Sequence, residues 1–193
     1  IRAALDDAIR NGTTLQEFEN RLTPLLKQKG WYGHGHIADK QTGEISGKRI
    51  AGRRLQTIFQ TNVQSAYMAG RYKQFTENVD SQPYWEYVAV MDSRTRPAHR
   101  ALDGQIFRHD DPFWGAFWPP NGYRCRCRVR AHGAADLAAR GRAPGNSRPY
   151  LGEADVPLGK GRKDTARVTT FKTPAMPRAV SPDPGFSFNQ GAA

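Results

Sequence analysis

The chain has 193 residues, a length that suits one domain, or one domain with a tail, and cramps two. It carries 29 basic and 18 acidic side chains, a net charge of +11, and its mean hydropathy is −0.72. No apolar run approaches the ~18 residues that span a bilayer, and the two cysteines, Cys125 and Cys127, sit at a spacing that rarely bridges, so membrane-spanning and disulfide-stapled secreted classes are excluded.

Residues 1–11 read as the end of a helix, with Leu5, Ala8 and Ile9 on one side and Asn11-Gly12 as the stop. The opening IRAALDDAIR lacks a Met, so residue 1 is expected not to be the translation start. Thr14 with Glu17 forms a capping-box pattern. The helix it opens has Leu15, Phe18, Leu22, Leu25 and Leu26 at 3.6-residue spacing, and Pro24 is expected to kink or shorten it. The Gly-rich stretch 30–47 reads as a loop or a short irregular hairpin. A long helix is expected over 48–78, with an apolar stripe that includes Leu55, Phe59, Val63 and Phe75.

Residues 84–91 are aromatic and β-branched, the pattern of a buried strand. Pro97 suits the first turn of a short helix carrying His99. Asp103-Gly104 marks a turn, and 105–107 a short strand. Residues 110–123 hold three Pro and two Gly among five aromatics, which reads as a rigid loop rather than a regular element. RCRCRVR at 124–130 alternates strictly. It is expected to be a strand paired with 84–91, with Cys125, Cys127 and Val129 inside and Arg124, Arg126, Arg128 and Arg130 outside. Residues 134–140 form a short Ala-rich helix. Residues 143–193 contain seven of the thirteen prolines and few large apolar groups. They are expected to form an arm, extended along another chain or along their own domain. The fold class is therefore α+β: N-terminal helices, one long helix, a small antiparallel sheet and a C-terminal arm, with a domain at 1–142 and the arm at 143–193.

Charge is uneven. Residues 91–142 carry ten basic side chains, all Arg, against five acidic ones. Arg favours planar, bidentate partners such as phosphate and carboxylate. The four arginines of 124–130 are the best candidates for contact with nucleic acid or an acidic partner, as a patch that positions rather than reads sequence.

The densest run of unusual residues is 92–127. It reads Asp92-Ser-Arg-Thr95-Arg96-Pro-Ala-His99, then Asp103-Gly104, then Asp111-Pro-Phe-Trp, then Pro119-Pro120-Asn-Gly122-Tyr-Arg-Cys125-Arg-Cys127. This run resembles the signature of the phage Mu F-like head morphogenesis family, which includes the SPP1-type minor head proteins: a D-x-x-T-[RC]-x-x-[HC] turn, a D-G, and P-P-x-x-x-x-C-R-C. The resemblance implies a structural virion component. Such a protein is present in few copies, docks on the portal or major capsid protein at the inner head surface, and acts in head assembly and DNA packaging or ejection. It implies packaged double-stranded DNA as a non-specific partner, no membrane partner, and location in the virion after assembly in the host cytoplasm. Part of the family is similar to modules fused to toxin enzymes. The rival readings are a basic nucleic-acid-binding module and the Mu F-like part of a toxin or processing enzyme.

Many relatives place C-x-x-C early and H-x-x-C-R-C late, which resembles a four-ligand zinc set. Here Arg96 and His99 stand at the early pair and Gly122 at the late His. Only His99, Cys125 and Cys127 persist, with Asp92 or His109 as outside candidates. The favoured reading is no cofactor and no metal, with both cysteines as small apolar residues on an inner face. Asp92, Thr95, Arg96, His99 and Asp103 are expected to form a buried structural network that fixes the loop in the metal's place. No catalytic residue is assigned, because no oxyanion feature or phosphate loop accompanies the Cys–His–Asp set. His34 and His36, between glycines, read as solvated rather than ligating. Phe113, Trp114, Phe117 and Trp118 read as a packed loop core rather than a platform for bases.

Overall fold

The computed structural model describes every residue except Asp39, Lys40, Lys160, Arg162 and Ala193. The chain divides into two compact units, Ile1–Val63 and Gln64–Ala193. The compositional boundary at 142/143 falls inside the second.

In the first unit, α1 (Arg2–Asn11) ends at Gly12, whose φ of 65° is the left-handed cap that glycine adopts without a Cβ penalty. Helix α2 (Leu15–Gln28) starts at the expected capping box: the Glu17 amide donates to Thr14 Oγ1 at 3.3 Å, and the Thr14 amide donates to Glu17 Oε2 at 2.8 Å. Pro24 does not end α2, which runs on to Gln28. The Gly-rich stretch forms an antiparallel hairpin of β1 (His36–Ala38) and β2 (Ile45–Lys48), with a register irregularity at Ile37/Ala38. Helix α3 (Gly52–Thr76) starts later than its apolar stripe suggests, because Lys48 is paired to His36 in the hairpin. Leu5, Ala8, Phe18, Leu22, Leu26, Leu55 and Phe59 make the core of this unit, and the Phe18 and Phe59 rings lie 5.1 Å apart.

The second unit is built on a three-stranded antiparallel sheet ordered β4-β3-β5, from β3 (Tyr84–Val88), β4 (Ile106–Arg108) and β5 (Arg128–His132). Strand β5 is shorter and later than the expected 124–130. Arg124 has a left-handed φ of 60°, and the Cys125 amide closes a turn onto Gly122 O at 3.2 Å. Pairing with β3 begins only at Arg128, opposite Val88. The helix α4 (Pro97–Leu102) has Pro97 in its first turn, as expected.

The expected irregular loop at 110–123 contains a short helix, α5 (Phe113–Phe117). Asp111 Oδ1 accepts the Phe113 amide at 2.9 Å, which starts the turn. Helical spacing then stacks Phe113 on Phe117 at 4.7 Å and sets Trp114 edge-on to Trp118 at 5.9 Å. The indole N–H of Trp118 donates to Met68 O, and that of Trp114 to Arg108 O, both at 3.0 Å. Trp85, Trp114, Trp118, Phe113 and Phe117 are all buried, so the ring cluster is core, as the Pro/Gly interleaving suggested.

Helix α6 (Ala134–Ala139) is followed by a 3₁₀ turn at Arg148–Tyr150 and by the hairpin β6 (Leu151–Pro157) and β7 (Thr165–Phe171). The segment 143–193 thus lies along its own unit, with a hairpin that its composition did not announce. It also enters the core. Phe171 is fully buried among Phe107, Phe113 and Phe117, and Met176 and Val180 join the same cluster. Burial is what orders a Pro-rich segment that has little apolar surface of its own. Among the described residues, no helix is long and apolar enough to cross a membrane.

Candidate functional site

The 92–127 region sits where the end of β3, helix α4, the turn before β5 and the C-terminal segment meet. Its hydrogen bonds fall into three groups rather than the single network expected from the sequence.

The first group centres on Asp92. Arg126 grips its carboxylate with two bonds of 2.7 Å, from Nη1 to Oδ2 and from Nη2 to Oδ1. The Arg94 amide donates to Oδ1 at 3.0 Å, and Thr95 Oγ1 lies 3.2 Å from the same oxygen while donating to Val90 O. Arg100 donates to the backbone oxygens of Asp92 and Thr95. The Arg126 guanidinium holds the Asp92 carboxyl well below the usual carboxylate range.

The second group is His99, Cys125 and Cys127, all buried. His99 Nδ1 lies 3.6 Å from Cys125 Sγ and 3.4 Å from Cys127 Sγ. The Cys127 thiol and the imidazole pull the Cys125 thiol down from its ordinary range, and Cys125 in turn, with burial, pushes Cys127 up. Burial, and then the nearby sulfurs, raise the Tyr87 hydroxyl, which donates to Asn121 Oδ1 at 3.1 Å. On the far side of the imidazole, Arg96 Nη1 lies 3.5 Å from His99 Nε2 and donates to Asp183 Oδ2 at 2.9 Å, while its Nη2 donates to Tyr123 O at 2.6 Å.

Asp103 stands in a third group, accepting the Ala89 amide at 2.7 Å and so closing the end of β3.

The four arginines do not share one strand face. Arg128 and Arg130 are exposed on the same side of β5, Arg126 is turned onto Asp92, and Arg124 occupies the left-handed turn. Arg130 is also 3.6 Å from Glu86, which accepts from His132 Nε2 at 2.9 Å and lies 3.8 Å from Arg142. His34 falls in the turn before β1 and His36 at its first residue, both exposed, and His109 packs against Trp85 at 6.0 Å.

Sequence reasoning missed Asp183, Glu86, Asn121 and Ser147. Ser147 is completely buried, and its amide donates to Asp111 Oδ2 at 3.1 Å. None carries a local signal, since each meets its partner across a long stretch of chain.

Zinc is the cofactor that the resemblance brings to this place, and three of the four donors of a structural site are gathered there. His99, Cys125 and Cys127 place three ligand atoms within 4.8 Å of one another, and among the described residues no fourth His, Cys, Asp or Glu joins them. A structural zinc takes four protein donors.

Comparison with known proteins gives a consistent picture. A family described as "Phage Mu protein F like protein" matches residues 1–130. The whole chain aligns with "Putative capsid assembly protein F" of Escherichia phage Mu at 39% identity, covering 44% of that protein. It aligns with "Mu-like prophage FluMu F protein" of Haemophilus influenzae at 42% identity, covering 46% of that protein. An uncharacterized protein of Methanocaldococcus jannaschii is 33% identical over 59% of the chain and 17% of its own length. The chain thus spans less than half the length of these relatives. No solved structure matches it. The chain belongs to the Phage Mu protein F like family.

Proposed function

We propose that the chain is part of a phage head morphogenesis protein, a structural component that docks on the portal or the inner capsid surface during head assembly. The observation that carries this reading is alignment of the whole chain with less than half of each of two proteins, at 39% and 42% identity, one named for capsid assembly and the other as a prophage F protein. The geometry supports a shape-holding role. Asp92 is held by Arg126, the Arg94 amide and the Thr95 hydroxyl, and His99 and both cysteines are buried beside the Arg96–Asp183 pair. Those contacts brace a loop, and they leave the buried thiols poorly placed to attack a substrate.

Mass spectrometry of purified, tail-free heads tests the proposal. Expected is the protein in low, fixed copy number, with malformed or empty heads when it is deleted. Its absence from heads, together with normal heads on deletion, overturns the reading.

The exposed pair Arg128 and Arg130, on a chain of net charge +11, favours a second reading as a non-specific DNA contact. That reading predicts DNA affinity that falls steeply with salt and weakens in Arg128→Glu/Arg130→Glu. A salt slope below about two phosphates argues against it.

A further inference from the structure

The buried His99–Cys125–Cys127 cluster raises the question of what holds the neighbouring chain segments together. We propose that the cluster is metal-free in the folded chain, and that the Arg96–Asp183 ion pair fastens the C-terminal segment over it in the place where a bound zinc would act. The inference is independent of the role proposed in the phage head.

Proton placement carries the argument furthest. A guanidinium can only donate, so the 3.5 Å approach of Arg96 Nη1 to His99 Nε2 fits the tautomer whose ring proton sits on Nδ1. Nδ1 is the atom that faces both sulfurs, at 3.4 and 3.6 Å. In that form Nδ1 donates toward sulfur, and a metal there would have to displace its proton.

The surroundings agree. An imidazole that ligates a metal gives its other N–H to a carboxylate or a carbonyl. The carboxylate at hand is Asp183, and Arg96 holds it at 2.9 Å. The fixed positive charge of Arg96 beside the imidazole also opposes a divalent cation.

Gly122 shows that the pair is built in. A Cβ at this position would run into Arg96 Nη1 and into the Asp183 carboxylate, so the ion pair uses the volume that any side chain at 122 would need.

The same pair gathers three segments. Arg96, the residue before α4, also binds Tyr123 O, and the Asp183 amide donates to Asn121 O at 2.9 Å. The Phe186 amide returns to Asp183 O at 2.9 Å, and the Phe186 ring packs edge-on against Tyr123 at 5.0 Å.

The test uses the full chain produced in zinc-supplemented medium. Metal content is measured by mass spectrometry, thermal unfolding with and without a chelator, and amide exchange at Asp183 and Phe186. Expected for the unaltered chain is zinc far below one equivalent and a Tm indifferent to chelator. Expected for Arg96→Met is exchange at those two amides raised about fivefold, the effect of a ~1 kcal/mol local loss. Expected for Arg96→Cys, with folding verified by near-ultraviolet circular dichroism, is a full equivalent of zinc and a Tm that falls on chelation.

A full equivalent of chelator-sensitive zinc in the unaltered chain overturns the proposal. So does a folded Arg96→Cys chain that takes up no zinc, or unchanged exchange at both amides in Arg96→Met. If Arg96→Met does not fold, Asp183→Asn gives the same exchange readout with the cation kept, and unchanged exchange in that variant overturns the fastening role.

Discussion

Arg96 and Asp183 are 87 residues apart in the chain and 2.9 Å apart in the fold. One lies at the start of α4, inside the run that resembles the Mu F-like signature. The other lies in a Pro-rich segment whose sequence carries no such mark. Their contact makes the C-terminal segment part of the candidate site.

That segment also contributes to the core of the unit it packs on. Phe171 is buried against Phe107, Phe113 and Phe117. Phe171→Ala is expected to cost about 3–5 kcal/mol, the usual range for removing a buried ring. Denaturant unfolding followed by tryptophan fluorescence measures it, since Trp85, Trp114 and Trp118 report on the same core. A cost below about 1 kcal/mol would show that the segment only covers a core already complete without it.

The Asp92–Arg126 contact has a pH signature. The folded-state pKa of Asp92 lies below its unfolded value near ~3.9. Its contribution to stability is therefore full above the unfolded pKa and is lost as pH falls through the folded one. NMR titration of the Asp92 carboxyl is expected to show it ionised to more acid pH than in Arg126→Met, where the midpoint moves up toward the ordinary range. Identical midpoints in the two proteins would mean that Arg126 does not set it.

A side chain at Gly122 is expected to displace the Arg96–Asp183 pair. Gly122→Ala puts a methyl against both members of the Arg96–Asp183 pair, and overpacking of this kind costs about 1–3 kcal/mol. Thermal unfolding checks the cost. Combining the change with Asp183→Gly, which removes the carboxylate half of the conflict, is expected to recover part of the loss, and a Gly122→Ala cost as large in the Asp183→Gly background as in the unaltered chain would count against steric conflict.

In the first unit, Thr14→Ala removes one half of the capping box and is expected to cost about 1 kcal/mol. Amide exchange at Glu17, whose N–H loses its acceptor, reads the change locally. Thr14→Ser keeps the hydroxyl and is expected to exchange like the unaltered chain.

Much of the architecture was legible because its signals are local. The capping box at Thr14 and Glu17, the apolar stripe of α3, the aromatic strand β3 and the Pro97 start of α4 each show themselves within a few residues. The strict alternation of 124–130 marked the burial of Cys125, Cys127 and Val129 but not the start of the strand, because one left-handed residue, Arg124, and the demand of Asp92 for Arg126 delay it to Arg128. Local pattern records which faces can be apolar, and it does not record which side chain a distant carboxylate will claim.

The amino-acid order by itself determined that this is an α+β chain, basic and rich in rings, with the Mu F-like run at 92–127. It also placed His99 and both cysteines within one motif. Only the tertiary structure decided that Asp183 returns to Arg96, that Phe171 completes the aromatic core, and that Asp92 and His99 serve separate groups. Helical and strand periodicity are set by backbone geometry over a few residues. Long-range partners are chosen by packing and charge once the whole chain has collapsed, when burial can offset the entropy of bringing distant segments together.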